Sequence, residues 1–265
     1  MGRIPSSRID VIPRRFVDIL SHPSYHRWDF WRSRCNICGR PTIFVCTVAQ
    51  NRWIRSCLLC RSTPKYRALY RVLVDHLGVD LGATLDRGAT VYELTASSPI
   101  YRRFRDSPGY QRSAYISDLP FGVELRPRVW NQDLQRLTFA DESFDVVISS
   151  ETMEHVRKPW IGFAEICRVL KPGGVHCFTI PYHSDCLTRS RVDTSGAEDV
   201  YLLPKAYHQD PYCEADSLVY TEFGTDLIEL LRPLGFETTE HLVLDRANDI
   251  QDDLGPMRVF LSVKR

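Results

Sequence analysis

The stretch from Asn131 to Tyr182 reads NQDLQRLTFADESFDVVISSETMEHVRKPWIGFAEICRVLKPGGVHCFTIPY. Two short apolar runs lie in it, Phe144–Ser149 and Val175–Ile180, each the length of one buried strand. A helical stretch near 159–170 falls between them, and Gly173-Gly174 suits a tight turn ahead of the second run. Working outward, strand-like runs recur at Thr90–Leu94, Ala114–Ser117, His241–Leu244 and Arg258–Val263. Further helical stretches fall near 98–106 and 222–234. This alternation predicts an α/β fold: a mostly parallel sheet with helices on both faces. The last two runs follow one helix and are joined by the turn region Arg246–Pro256, so they are expected as an antiparallel edge pair. Asp145, opening its strand, reads as a loop anchor rather than a ligand.

Within the same stretch stand Asp133-Leu134, Ser143-Phe144-Asp145, Glu154-His155-Val156 and the run from Arg168 to Gly174. Their order and spacing resemble the class I, Rossmann-like methyltransferases that use S-adenosylmethionine. Their pattern runs D-L-x-x-L-P-F, S-F-D-x-V, E-H-V, R-V-L-K-P-G-G. The resemblance implies a sheet whose ligands bind outside the carboxyl ends of the parallel strands. It implies that Asp133 accepts from the adenine amine while the Leu134 backbone N–H meets a ring nitrogen. An acid and three glycines follow the first strand in that family. Here Glu93 keeps the acid, and Thr95, Ser97 and Pro99 replace the glycines. Glycine lets backbone approach a ligand closely; the hydroxyls of Thr95 and Ser97 offer donors to the methionine carboxylate instead. Asp118, read as the end of the second strand, is expected on the ribose hydroxyls. Ser149, at the end of the fourth strand, completes the expected cofactor set. The departure at the glycines keeps an inactive pseudo-enzyme among the alternatives.

Cys35-x2-Cys38 and Cys57-x2-Cys60 are two close pairs separated by 18 residues, the spacing of a structural four-cysteine Zn2+ site. Cys46 is the spare thiol near them. The apolar run Ile43–Val48, a polar tip at 50–52 and Trp53-Ile54 predict a hairpin between the pairs. Ser62-Thr63-Pro64 predicts a capped helix start, with one apolar face (Tyr66, Leu69, Tyr70, Leu73, Leu77) running to a stop at Gly78. A shorter amphipathic helix is expected ahead of Pro23, from Ile12, Phe16, Ile19 and Leu20. Residues 1–77 are therefore expected as an N-terminal helix and zinc module and residues 78–265 as the methyltransferase domain, with 78–89 as a linking turn.

The acceptor is less legible. Methyl transfer needs an aligned nucleophile and often a base. The stretch 181–221 is long, aromatic and rich in His and Arg, and is expected to be a substrate-bearing lid. Tyr182, His183, Tyr207 and Tyr212 are its candidate substrate contacts. His208, with Asp210 beside it, and His155 are the candidate bases. Enzymes that methylate exocyclic base nitrogens carry an Asn/Asp-Pro-Pro-Tyr/Phe motif after the fourth strand, where this chain has Ser149-Ser150-Glu151-Thr152. The nucleophilic cysteine of pyrimidine C5 enzymes is also absent there.

Net charge is +1, but residues 1–71 hold 14 Lys/Arg against 3 Asp, a net +11, and the remainder 20 against 30, a net −10. That split fits an anionic partner or internal docking between the halves. Two functions follow: methylation of a small molecule, with a hydroxyl of a sugar or secondary metabolite as the expected acceptor, or methylation of RNA of the ribosomal type gripped by the basic segment. The aromatic, His-rich stretch favours the small molecule. No apolar run is long enough to span a membrane, and the nine cysteines fit reduced thiols in a cytoplasmic protein.

Overall fold

The computed structural model describes residues 30–49, 52–196, 198–208, 217–251 and 255–265. The expected helix before Pro23, the hairpin tip at 50–51 and the candidates Asp210 and Tyr212 lie outside these, as does the side chain of Cys46. The N-terminal part forms an antiparallel sheet of Phe30–Arg34 (β1), Pro41–Ala49 (β2) and Arg52–Cys57 (β3). The main sheet then takes Val91–Glu93 (β4), Tyr110–Ala114 (β5), Glu124–Arg126 (β6), Val129–Asn131 (β7), Phe144–Ser150 (β8) and Leu170–Thr179 (β9). Six two-residue strands follow: Arg189–Ser190 (β10), Val192–Asp193 (β11), Val200–Tyr201 (β12), Tyr207–His208 (β13), Ser217–Leu218 (β14) and Thr221–Glu222 (β15). Phe236–Val243 (β16) and Met257–Lys264 (β17) return to the main sheet.

The eight strands lie in the order β16-β17-β9-β8-β4-β5-β7-β6. The β4, β5, β7, β8 and β9 neighbours pair in parallel, as expected of short apolar runs buried on both faces. β17 is antiparallel to both β9 and β16, so the reversed strand sits one in from the edge. At the opposite edge β6 runs antiparallel to β7, which the sequence reading did not foresee.

Side chains alternate across the sheet. Val146, Ile148, Val175, Cys177, Val259 and Leu261 face one core, and Tyr92, Val147, Phe178 and Phe260 the other. A register shift between Phe144 and Val146 returns Phe144 to the second core. The first core also takes in Leu69, Leu73, Leu81, Leu85, Cys35, Phe44 and Cys57, so the cysteine-bearing module and the sheet share one apolar interior.

Several expectations are corrected. The second strand is Tyr110–Ala114, not Ala114–Ser117. The turn 78–89 contains a helix, Leu81–Asp86, which the Asp80 side chain caps by accepting from Gly82 N–H at 2.9 Å. The helix Pro64–Leu77 begins and ends as read, with Gly78 left-handed at φ 67°, but Thr63 makes no side-chain cap bond. The stretch 222–234 divides into β15, a helix Leu227–Leu231 and a 3-10 turn Arg232–Leu234. Asp145 anchors its loop as expected: one carboxylate oxygen accepts from Thr90 N–H at 2.7 Å and from Lys171 Nζ at 2.7 Å.

Charge meets charge between the basic segment and the rest. Arg67 is fully buried and pairs with Asp249 at 3.1 Å, with its guanidinium over the Phe44 ring. Arg55 reaches the same carboxylate at 3.3 Å, Arg71 pairs with Asp245 at 3.0 Å, and Lys65 with Glu151 at 2.7 Å.

Candidate functional site

Parallel strands β4, β5 and β8 end on the same side of the sheet, the side on which sheets of this kind bind ligands. β4 ends on Glu93, whose carboxylate is 1% exposed. One of its oxygens accepts from the Tyr110 hydroxyl at 2.7 Å, and the other has no partner. Burial pushes this carboxyl up to about 7, against the pull of Ser98, Tyr110 and Arg112. The loop after it turns on Thr95, whose hydroxyl donates to the Ser97 carbonyl and accepts from the Ser97 N–H. Ser98 then caps the helix Pro99–Phe104, accepting from Tyr101 N–H at 2.9 Å. None of residues 94–98 has a positive φ, so L-residues fit where the family's glycines would stand. Arg112, from β5, lies over the Tyr101 ring and donates to the Ala96 carbonyl, bracing the loop from beneath.

The other candidate cofactor residues are more scattered. Asp118 lies four residues past the end of β5, in an exposed turn, with the Ser117 hydroxyl 3.0 Å away. It therefore does not end the strand. Asp133 lies two residues beyond β7; its carboxylate accepts from Gln135 N–H at 2.8 Å and holds the turn in which Leu134 sits. Ser149 is 2% exposed, and its hydroxyl lies 2.8 Å from His176 Nε2 inside the sheet. Its side chain thus faces the core. His176 stacks on the Phe178 ring, with centroids 4.4 Å apart, and burial lowers it to about 3, so it stays neutral.

Beyond β8 the chain turns through Glu151, left-handed at φ 51°, into a 3-10 turn Met153–His155. This turn brings three titratable groups together. The Glu154 carboxylate is 1% exposed and neither oxygen has a hydrogen-bond partner. His155 Nε2 lies 3.5 Å from it and His208 Nδ1 3.6 Å. The two rings meet edge-on, with centroids 5.0 Å apart. His155 Nδ1 is 2.8 Å from the Leu218 carbonyl, and since a carbonyl only accepts, that nitrogen carries the proton. Glu154 holds the His208 imidazole above its usual range, while burial pushes Glu154 itself up. The sequence reading named both histidines and quoted the Glu-His-Val motif but gave Glu154 no role. Its signal was an acid next to a candidate base at the end of a central strand.

The remaining candidates stand apart. Tyr182 packs against Phe260 with Arg258 over its ring at 4.2 Å. His183 groups with Asp185 and Cys186. Tyr207 is half exposed in β13, next to His208.

At the other end of the module, the sulfurs of Cys35, Cys38, Cys57 and Cys60 all lie within 4.8 Å of one another. Cys35 and Cys60 are 3.6 Å apart and Cys38 and Cys57 4.0 Å. Ligands about 2.3 Å from a tetrahedral Zn2+ stand roughly 3.8 Å apart, so this donor set fits the ion. Both pairs fold alike: Gly39 N–H donates to Cys35 C=O and Arg61 N–H to Cys57 C=O, each at 2.8 Å. Each following residue is left-handed, Gly39 at 66° and Arg61 at 60°.

Residues 80–178 match the methyltransferase-domain family. The class I methyltransferase resemblance therefore holds over the stretch that supplies β4 to β9. An uncharacterized methyltransferase of Mycobacterium avium is 51% identical over 39 residues, 15% of this chain. The chain spans about 15% of the length of the curated relatives it matches. Among solved structures, an S-adenosylmethionine-dependent methyltransferase from Mesorhizobium loti is 16% identical, with TM-score 0.45, covering 67% of this chain and 91% of that one. The YcgJ protein of Bacillus subtilis is 14% identical, with TM-score 0.41, covering 70% of this chain and 97% of that one. No helix among the described residues is long and apolar enough to cross a membrane.

Proposed function

We propose that the chain is an S-adenosylmethionine-dependent methyltransferase acting on a small molecule, with a hydroxyl of a sugar or secondary metabolite as the acceptor. The observation that carries the acceptor reading is the Glu154–His155–His208 cluster at the carboxyl end of β8. The cofactor would supply an electrophilic methyl group on a sulfonium. Glu93, Thr95, Ser97, Asp118, Asp133 and Leu134 remain the residues proposed to hold it. The orphaned Glu93 oxygen beside the loop gives an ammonium group an acceptor. The cluster's part is to take charge of the acceptor's proton while the oxygen attacks. His208 is its most open member, with 40% of its side chain exposed, and Tyr207 beside it offers a wall for the acceptor.

The RNA reading loses support because Lys65, Arg55, Arg67 and Arg71 are engaged by acids of the same chain. The proposed role of that positive charge is docking, and structural Zn2+ on the four cysteines would stiffen the docked module.

The test is calorimetry with S-adenosylmethionine, followed by turnover of sugar and phenolic acceptors. His208→Ala is expected to lower turnover by roughly 100-fold, the usual share of acid–base catalysis, with cofactor affinity unchanged. Undetectable cofactor binding would favour the pseudo-enzyme reading. Salt-dependent RNA binding without small-molecule turnover would restore the RNA reading.

A further inference from the structure

We propose that Glu154, His155 and His208 form a site for a divalent first-row transition-metal ion, separate from the four-cysteine cluster. Four observations carry it. First, the Glu154 carboxylate is almost fully buried, yet neither of its oxygens is hydrogen-bonded. A buried carboxylate without a hydrogen bond is costly, and a cation held between it and the two imidazoles is one of the few groups that can satisfy it. Second, the donor atoms stand apart rather than bonded: 3.5 Å from Glu154 to His155 Nε2 and 3.6 Å to His208 Nδ1, all three within 4.8 Å. A hydrogen-bonded His–carboxylate pair would close to about 2.8 Å. Donors about 2.1 Å from one ion are separated by roughly 3.0–3.4 Å, close to what is seen.

Third, the Leu218 carbonyl takes the His155 Nδ1 proton at 2.8 Å. This leaves the lone pair on Nε2, the nitrogen that faces Glu154, and fixes the ring. A carbonyl on the far nitrogen is the usual outer support of a metal-bound imidazole. Fourth, the local charge is negative. Glu151 acts on both Glu154 and His208, and Lys65 is paired with Glu151 at 2.7 Å.

Two imidazoles and one carboxylate select borderline divalent ions over Mg2+ or Ca2+, which take all-oxygen sets. Three protein ligands leave coordination positions open, and the opening lies toward the half-exposed His208. An acceptor hydroxyl bound there would lose its proton more readily, the proton passing to water at the exposed side of His208, and in the metal-loaded protein the imidazoles would hold the ion in place of the base role proposed above. That last step rests on the methyltransferase reading; the binding of the ion does not.

Untagged, full-length, zinc-loaded protein under reducing conditions is titrated with Ni2+ by calorimetry and then analysed for metal. One nickel per chain beyond the zinc is expected in the wild type and in His183→Ala, which removes a ligand from the competing His183, Asp185 and Cys186 group. Glu154→Gln keeps the shape of the side chain and removes its charge, and His208→Ala removes a half-exposed ligand; each should lose the nickel isotherm. His208→Ala needs no buried rearrangement, so it reads the site even where Glu154→Gln folds poorly. No nickel beyond the zinc in the wild type, or a nickel that His208→Ala retains and His183→Ala loses, overturns the site. A bound nickel in a protein that fails to bind S-adenosylmethionine would confirm the site and sink only the methyltransferase reading.

Discussion

Glu93 shows how one residue's setting departs from its sequence meaning. As a letter in a motif it is the acid after the first strand. In the structure it is a buried carboxyl, raised to about 7, with the Tyr110 hydroxyl on one oxygen. Its ordinary value is 4.5, so between that value and 7 the folded state holds a proton that the unfolded state has released. Stability must therefore fall as pH rises through this window, by up to about 3 kcal/mol when ionisation is complete. Glu93→Gln accepts the same Tyr110 bond and does not titrate. Its stability relative to the wild type is expected to grow from pH 5 to about 7 and to level off by pH 8, read as the difference in urea midpoint between the two proteins. A constant difference across that range would mean that Glu93 stays ionised throughout. Ser149 carries the opposite lesson. It lies at the right strand end for a ligand, but strand alternation turns its hydroxyl to His176 in the core. Position along a strand was legible there and the face was not.

At the scale of elements, legibility followed apolar pattern and turn chemistry. The strands β8, β9 and β17 and the helix Pro64–Leu77 were found because each presents several apolar residues at one period to a core. β5 was misplaced because its middle, Arg112-Ser113, is polar yet buried, the arginine lying over Tyr101 and the serine 2.7 Å from the Tyr92 hydroxyl. The two-residue ladders β10 to β15 are too short to carry any period, and the pairing of His208 with Glu154 depends on how they fold back. The cysteine knuckles were fully legible, since close spacing and sulfur chemistry suffice. One zinc per chain is expected there, measured by elemental analysis under reducing conditions. Cys38→Ser should lower that content, whereas Cys46→Ser should not. A wild type without stoichiometric metal would remove zinc from the structure. Arg61 holds the left-handed place that Gly39 holds in the twin turn, which costs a non-glycine residue about 1 kcal/mol.

At the scale of the whole molecule, the sequence suggested a boundary at residue 77, whereas the interior crosses it without a break. Cys35, Phe44 and Cys57 belong to the same apolar cluster as Val91, Val146 and Leu261. The Arg67–Asp249 pair, buried on both sides, ties the module to the loop between β16 and β17. The opposite net charges of the two halves were visible in the sequence, but which acid meets which arginine depends on the fold. Because apolar core and buried pair are shared, the module and the sheet are expected to unfold as one cooperative unit. Calorimetry should show a single transition, and a strong chelator should move that whole transition downward instead of splitting it. Arg67→Met leaves Asp249 buried with the partly exposed Arg55 and a long contact from the Gln251 amide, and should cost about 3–5 kcal/mol. That loss should appear across the same single transition. Asp249→Asn in the Arg67→Met background removes the stranded charge, keeps a residue at ease at φ 51°, and should recover part of the loss. Two resolved transitions, with Arg67→Met shifting only the weaker one, would show instead that the module melts by itself and that the shared interior adds little to its hold on the sheet.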